Sequence, residues 1–253
     1  MDRLKAIKNI RNKLKNGQIS IGSWMQIPNT SVAEIMGESG YDWVTIDMEH
    51  GAFSASQLPD LFRALELGNT LPLVRLLNDS PSACKQALDS GAGGVIVPMV
   101  KSLDQLNKIK QSCSWPPNGT RGVGFSRANL FGKHFEEYRS EAQNPILIAM
   151  IENIEAVKNL DEILSLNGLD AILIGPYDLS ASMHLTAEFE NQEFKKVISL
   201  ILNKCNQSDI ACGIHVVNPC KIELQNYISK GYRFIAFSID SVILLKNATL
   251  NNF

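Results

Sequence analysis

The amino-acid sequence predicts an α/β protein, a (β/α)₈ TIM barrel formed by a single domain over residues 1–253. Eight short apolar runs rich in β-forming residues occur along the chain, and stretches with helical periodicity lie between them. Each run is nearly continuous in hydrophobicity, which is typical of parallel strands covered by helices. A length of 253 residues suits one such barrel.

The predicted strands follow one another at the spacing of βα units. They are Ile19–Gln26, Trp43–Asp47, Leu71–Leu76, Gly94–Met99, Ile146–Ile151, Ala171–Ile174, Ala211–Val216 and Phe234–Ile239. The helices between them include Ser31–Ser39, Ser56–Leu67, Ser80–Asp89, Leu103–Ser112, Ile154–Leu166, Asn191–Asn206 and Pro219–Lys230, and several carry capping residues at their ends. An open doubly wound sheet is the alternative, but it would have a glycine-rich loop after its first strand, and MQIPNTS is not one.

Composition and charge limit the classes of partner. The formal net charge is −2, the isoelectric point is near 6.1 and no basic run occurs, so we expect neither a nucleic acid nor a membrane as partner. The first residues are charged throughout and resemble neither a signal peptide nor a span, which predicts a cytoplasmic protein. Five cysteines without a CxxC pair predict reduced thiols.

One connection is much longer than the others. It runs from Lys101 to Pro145 and contains the sequence WPPNGTRGVGF. Long loops in compact domains are usually functional or disordered. We therefore expect an ordered loop over the mouth of the barrel.

Polar residues follow several predicted strands, where the loops of a barrel converge on one opening. Glu152 and Asp178 are the best candidates for ligands of Mg²⁺ or Mn²⁺, because such ions prefer carboxylate oxygens. His50 follows two acids in a short loop and is the candidate base. Arg75 interrupts an apolar run; it serves the site or forms a structural ion pair with Glu152. His215 lines the pocket or is a core histidine.

Seven sequence blocks, taken in order, resemble the HpcH/HpaI family of class II, metal-dependent pyruvate aldolases over nearly the whole chain. The blocks are GSW at residues 22–24, DWVTIDMEH at 42–50, PLVR at 72–75 with ND at 78–79, VPMV at 97–100, GTRGVG at 119–124, IE at 151–152 and IGPYDLS at 174–180. The resemblance implies a TIM barrel that cleaves a 4-hydroxy-2-oxo acid to pyruvate and an aldehyde, through a metal-stabilised pyruvate enolate.

The resemblance also implies roles for individual residues. Glu152 and Asp178 would hold the divalent ion, which is Mg²⁺, Mn²⁺ or Co²⁺, and pyruvate would chelate it. Arg75 would stabilise the enolate, and His50 would act as base through a water molecule, made more basic by Asp89. The substrate-binding residues would be Arg75, Met150, Gly175, Pro176, Tyr177 and Asp178, with the backbone of residues 175–178 receiving the pyruvate carboxylate.

Asp89 raises a geometric difficulty, because it precedes the fourth strand whereas His50 follows the second. The two residues should therefore lie at opposite ends of one barrel. Our hypothesis is that Asp89 reaches His50 of a neighbouring subunit, or approaches it by an irregular path. The protein would then be a homo-oligomer, a hexamer or a trimer, with the tail Ser241–Phe253 able to swap between subunits as the last helix of family members does.

Two departures from the family pattern concern the substrate. Met150 stands where many members carry glutamine, and a thioether cannot make the hydrogen bonds of an amide. Tyr177 stands where smaller residues are frequent. Rival functions are an oxaloacetate decarboxylase or a CoA-ester lyase on the same scaffold, and a non-catalytic oxo-acid binding protein. No lysine stands at a strand end, so the metal route is preferred to an imine.

Overall fold

The protein is a closed barrel of eight parallel strands, as a computed structural model describes it for residues 1–250. Each strand pairs with its neighbours in chain order, and β1 pairs with β8 to close the barrel. The strands are β1 (Ser20–Met25), β2 (Trp43–Asp47), β3 (Leu71–Arg75), β4 (Gly94–Val97), β5 (Ile146–Ile151), β6 (Ala171–Ile174), β7 (Ala211–Val216) and β8 (Phe234–Ile239). The predicted TIM-barrel fold is confirmed.

Helices surround the barrel and cover its amino-terminal end. They are α1 (Arg3–Lys15), α2 (Thr30–Gly37), α3 (Leu58–Leu67), α4 (Pro81–Asp89), α5 (Leu103–Cys113), α6 (Phe135–Ala142), α7 (Ile154–Lys158), α8 (Leu160–Leu164), α9 (Pro176–Ser182), α10 (Gln192–Ser208), α11 (Lys221–Lys230) and α12 (Asp240–Ala248). No helix within residues 1–250 is long and apolar enough to cross a lipid bilayer. The last three residues of the predicted tail Ser241–Phe253 lie outside the described part of the chain.

Most predicted elements differ from the observed ones by one or two residues at their ends. The fourth strand stops at Val97 instead of Met99, because Pro98 has no backbone N–H and Met99 has a left-handed φ of 50°. The predicted helix Ile154–Leu166 is divided into α7 and α8 at Asn159. These differences do not alter the order of the elements.

The barrel interior is filled by large side chains rather than by a pore. Trp43 stacks on Phe234 with ring centroids 4.3 Å apart, and Ile7 and Ile10 of α1 close the amino-terminal end of this layer. Gly22 allows the stack, since a Cβ there would lie 2.0 Å from the Trp43 ring. Interior packing thus leaves only the carboxyl-terminal end of the strands for a site.

The long connection between β4 and β5 does not cover the barrel mouth, so that expectation was wrong. Helix α5 carries the chain back to the amino-terminal end before the long segment begins. There Arg121 lies 3.4 Å from Asp89 at the end of α4, and Arg127 pairs with Glu66 near the end of α3. The segment is folded on its own small apolar cluster, in which Trp115 packs against aromatic side chains of α6.

Candidate active site

A buried ion pair occupies the carboxyl-terminal end of β2 and β3. Arg75 donates from Nε to Asp47 Oδ1 over 2.8 Å and from Nη2 to Asp47 Oδ2 over 2.6 Å. The Arg75 side chain is 8% exposed and that of Asp47 is fully buried. Burial alone would raise the pKa of Asp47, but hydrogen bonds and charge from Arg75 outweigh it and hold that pKa below its usual value. The paired guanidinium is therefore fixed in orientation.

The loop after β2 is tied to the same carboxylate. Asp47 Oδ1 accepts hydrogen bonds from the backbone N–H groups of Glu49 and His50, each over 3.1 Å. Glu49 Oε2 lies 3.0 Å from Arg75 Nη1. Burial raises the pKa of Glu49, and the positive charge of Arg75 opposes that effect. His50 is exposed at this end of the barrel. Asp47 thus orients both the predicted base and the predicted enolate-stabilising residue.

Glu152 is the most perturbed acid of the site. It follows β5, is 2% exposed, and its Oε1 accepts a 2.5 Å hydrogen bond from the backbone N–H of Met99. Burial raises the pKa of Glu152 to about 7, and the nearby charges of Glu49 and Asp178 act in the same direction. Arg75 is paired with Asp47 and Glu49 and not with Glu152, so the structural Arg75–Glu152 ion pair considered above was wrong.

The turn after β6 packs closely on Glu152. A Cβ added to Gly175 would lie 2.7 Å from Glu152 Oε2, which leaves no room for a side chain. Pro176 begins α9, and Asp178 lies exposed in its first turn. Tyr177 is 57% exposed and meets the Phe189 ring edge-on at 5.0 Å, so it stands at the rim. Residues 175–178 and Glu152 therefore share one corner of the barrel mouth.

The donor set fits a divalent cation bound through few protein ligands. Four carboxylates lie near one guanidinium, and they belong to Asp47, Glu49, Glu152 and Asp178. Arg75 pairs with the first two, so Glu152 and Asp178 are left as candidate ligands of a cation. Within residues 1–250 no three His, Cys, Asp or Glu side chains meet in an arrangement typical of a metal centre. Mg²⁺ is commonly held by one or two carboxylates and several waters, so Glu152 and Asp178 could hold such an ion.

Met150 lies inside the barrel and is 5% exposed. Its Cε would be 3.5 Å from a Cβ at Gly175, so its thioether lines the same corner as Glu152. A thioether makes only weak hydrogen bonds. The floor of the site is therefore less polar here than an amide would make it.

Asp89 lies apart from the other predicted site residues. It ends α4 at the amino-terminal end of the barrel, is half-buried and faces Arg121. Burial raises the pKa of Asp89, whereas Arg121 and Lys85 oppose that effect. Within the part of the chain that the structure describes, no hydrogen bond or ion pair joins Asp89 to His50. The opposite-end placement expected from the sequence is therefore what this chain shows.

Three contributors to the site were missed or left undecided by sequence reasoning. Asp47 ends a wholly buried strand, and that burial of an acid was the available signal. Trp24, whose ring lies 5.3 Å from the Arg75 guanidinium carbon, occurs in a motif but had no assigned role. The backbone N–H of Met99 could not be found from side-chain chemistry.

Comparison with known proteins agrees with this arrangement. The chain is 32% identical over 243 residues to the hydroxypyruvate/pyruvate aldolase of Roseobacter denitrificans, covering 94% of this chain and 93% of that protein. It is 33% identical over 236 residues to the 2-keto-3-deoxy-L-rhamnonate aldolase of Shigella boydii, covering 92% and 87%. These names agree with the predicted carbon–carbon lyase class.

Solved structures and a family model lead to the same conclusion. A crystal structure of an HpcH/HpaI aldolase/citrate lyase family protein from Burkholderia cenocepacia superposes with a TM-score of 0.88 and 28% identity, over 94% of this chain and 95% of that one. The model of that family matches residues 20–247. The chain therefore belongs to the HpcH/HpaI aldolase/citrate lyase family.

Proposed function

We propose that the protein catalyses the reversible aldol cleavage of a 4-hydroxy-2-oxo acid to pyruvate and an aldehyde. The observation that carries the proposal is a buried guanidinium, Arg75, held at the carboxyl-terminal end of the barrel beside Glu152, with Asp178 nearby. Cleavage of the bond between C3 and C4 leaves negative charge on the former keto oxygen, and a fixed positive charge there stabilises the transition state selectively. Aldolase names among the relatives support the same reaction.

Enzymes of this family depend on a divalent cation. We assign Glu152 and Asp178 as its ligands, with Mg²⁺, Mn²⁺ or Co²⁺ as the candidates, because all three suit carboxylate oxygens. Such an ion, when bound, would act as a Lewis acid that polarises the keto group, and it would offset the excess negative charge of the carboxylates.

The remaining roles follow from hydrogen-bonding capacity. Arginine has five N–H donors. Asp47 takes two of them, which leaves three, and Glu49 Oε2 lies 3.0 Å from Nη1 without forming a hydrogen bond. These three donors are available to the oxygen atoms of an oxo acid. His50, oriented through its backbone by Asp47, is assigned as the base that removes the C4 hydroxyl proton. We assign the backbone of residues 175–178 to bind the pyruvate carboxylate, because Gly175 has no side chain to block its approach.

Exchange of the pyruvate methyl protons tests the proposal without an acceptor aldehyde. The protein is incubated with pyruvate in D₂O, with EDTA or with Mg²⁺, Mn²⁺ or Co²⁺ in turn, and pyruvate mass is followed. We expect deuterium uptake that requires a cation. Pyruvate release from hydroxy-oxo acids, measured beside release from oxaloacetate, separates an aldolase from a decarboxylase. A protein that exchanges nothing with any of the three ions would be a binding protein and not a lyase.

We also propose that the complete site needs two protomers, with Asp89 of one acting on His50 of another. Exposed apolar side chains lie on the segment next to Asp89: Val123, Phe125, Leu130 and Phe131. Phe131 and Asp89 line the same cavity of about 630 Å³. Helix α12 likewise exposes Leu244 and Leu245. Such apolar surface is typical of an interface between protomers of a hexamer or trimer.

Mixing two inactive variants tests the shared site. Asp89→Asn and His50→Asn are each expected to have little activity. When the two variants are co-expressed, some sites combine the intact His50 of one chain with the intact Asp89 of the other, and those sites should regain activity. Light scattering gives the mass of the assemblies. A fully active monomer, or mixtures as inactive as their components, would contradict the proposal.

A further inference from the structure

We propose that His215 contacts the substrate: its Nδ1 accepts a hydrogen bond from a hydroxyl group on the aldehyde-derived half, and this contact favours hydroxylated aldehydes over alkyl aldehydes. The inference rests on the proposed aldolase function and adds a specificity-determining residue to it. The sequence left His215 undecided between a pocket residue and a core residue.

The position of His215 places its ring at the level of the active-site residues. Along β7, Ala211 belongs to the interior cluster, and the alternation of a strand brings the side chain of His215 to the same face. The His215 ring lies 5.0 Å from the ring of Trp24, centroid to centroid. The guanidinium carbon of Arg75 lies 5.3 Å from the centroid of the Trp24 ring. One aromatic ring therefore separates His215 from the catalytic ion pair.

The tautomer of His215 follows from its single hydrogen-bond partner. Nε2 lies 3.1 Å from the backbone carbonyl oxygen of Ser238. A carbonyl oxygen can only accept, so Nε2 carries the hydrogen and donates. Nδ1 then has a free lone pair, and no hydrogen bond to it forms among residues 1–250. The ring thus offers an acceptor and no second donor.

The anchoring carbonyl is itself held in place. Ser238 has a left-handed φ of 60°, which is uncommon for a residue with a side chain. Its Oγ donates to Val217 O over 2.9 Å, and its carbonyl oxygen also accepts from Ser23 Oγ over 3.4 Å. Strain at a strand end often accompanies a functional site. Here the left-handed conformation of Ser238 turns its carbonyl group toward the imidazole of His215, and the resulting hydrogen bond fixes the orientation of that ring.

Electrostatics keep the ring neutral. Burial lowers the pKa of His215 to about 4, the positive charge of Arg75 acts in the same direction, and the Ser238 carbonyl and Asp47 oppose them. At physiological pH the imidazole is therefore uncharged. A neutral acceptor suits a hydroxyl donor, whereas a carboxylate of the substrate would be bound by Arg75 or the cation.

Space for the acceptor adjoins the ring. His215 lines a cavity of about 740 Å³ that begins at Pro176 and Tyr177, beside Asp178, and extends between α10 and α11. Phe189 and Asn218 line it as well, and so do charged side chains toward α10 and α11, namely Glu190, Lys195, Glu223 and Lys230. Within residues 1–250, His215 Nδ1 has no hydrogen-bond partner, and it is not fully buried. A lining that mixes aromatic faces with polar groups suits a hydroxylated carbon chain several atoms long.

Two substitutions separate recognition from support of the fold. His215→Gln can keep a donor for the Ser238 carbonyl but has no acceptor at the Nδ1 position. His215→Asn places an oxygen near that position but is too short for the Ser238 bond. For each variant and the unaltered protein, kcat/KM is measured for condensation of pyruvate with lactaldehyde and with propanal. Methyl-proton exchange of pyruvate without aldehyde is the control, and thermal unfolding reports on folding.

We expect the lactaldehyde-to-propanal ratio of His215→Gln to fall about tenfold, as the loss of one hydrogen bond predicts, with exchange unchanged. His215→Asn should keep the ratio even if it unfolds at a lower temperature. The opposite order, or an equal fall for both aldehydes, would overturn the inference and make His215 structural. Absence of exchange in the unaltered protein would overturn the aldolase proposal, and this inference with it.

Discussion

Replacing Glu152 with glutamine is expected to lower kcat/KM for pyruvate release by about a thousandfold, since a ligand of a catalytic cation contributes several kcal/mol to the transition state. The variant should nevertheless fold. Glutamine can still accept the hydrogen bond of the Met99 N–H, and it removes a carboxylate that burial disfavours. Steady-state kinetics with and without Mn²⁺, together with thermal unfolding, measure both effects.

The pH dependence of stability checks the same residue in cation-free buffer. Because the folded-state pKa of Glu152 is raised to about 7, its ionisation costs stability, and that cost grows as pH rises from the usual carboxyl range through 7. At pH 8 the Glu152→Gln variant should be no less stable than the unaltered protein, and more stable by up to about 3 kcal/mol.

Glu155→Gln is the matched control for Glu152→Gln. Glu155 is three residues away at the exposed start of α7, with Lys101 only 4.0 Å distant as a weak partner. Its replacement should change neither activity nor stability measurably. If Glu152→Gln kept most of its activity, or lost stability without losing turnover, the metal-ligand assignment would be wrong.

Replacing Asp47 with asparagine is expected to have the largest effect on stability. It would leave Arg75 buried beside a neutral amide, and breaking a buried ion pair by removing one partner costs about 3–5 kcal/mol. Activity should fall about a hundredfold, because a misplaced guanidinium no longer faces the developing charge. Urea unfolding and the kinetics of pyruvate release measure the two losses.

The stability difference for Asp47→Asn should depend on pH in a defined direction. Hydrogen bonds and charge from Arg75 lower the folded-state pKa of Asp47, although burial opposes this. The pair therefore stabilises the fold above the usual carboxyl pKa, and the contribution is lost as pH falls through the lowered value. Asp60→Asn, in an exposed pair with Arg63, is the control and should cost less than about 1 kcal/mol. An equal cost for both would contradict the role of Asp47.

The strand pattern was predictable because it depends on local sequence. A parallel strand covered by helices must be apolar along its whole length, and all eight runs became strands in the expected order. The charged residues at the ends of β3 and β5 were also predictable as site candidates, since an arginine or acid there must be paired or bind a ligand. Arg75 and Glu152 were therefore available as candidates before any coordinates.

The partners of those residues were not predictable. Arg75 was expected to pair with Glu152 if the pair was structural, but it pairs with Asp47 on the adjacent strand, directly opposite it in the register. The position of the long connection was predicted wrongly, since its sequence does not reveal that α5 first returns the chain to the other end. Both outcomes depend on contacts between residues far apart in sequence.

The sequence by itself determined the α/β class, the order of eight strands and the polar residues that terminate them, because hydrophobic periodicity and the cost of burying charge act locally. Only the tertiary structure decided which acid neutralises Arg75, that a backbone amide from β4's end holds Glu152, and that the Ser238 carbonyl selects the tautomer of His215. Those choices belong to strand register and backbone direction, which are set when the barrel closes and the carboxyl ends of its strands converge.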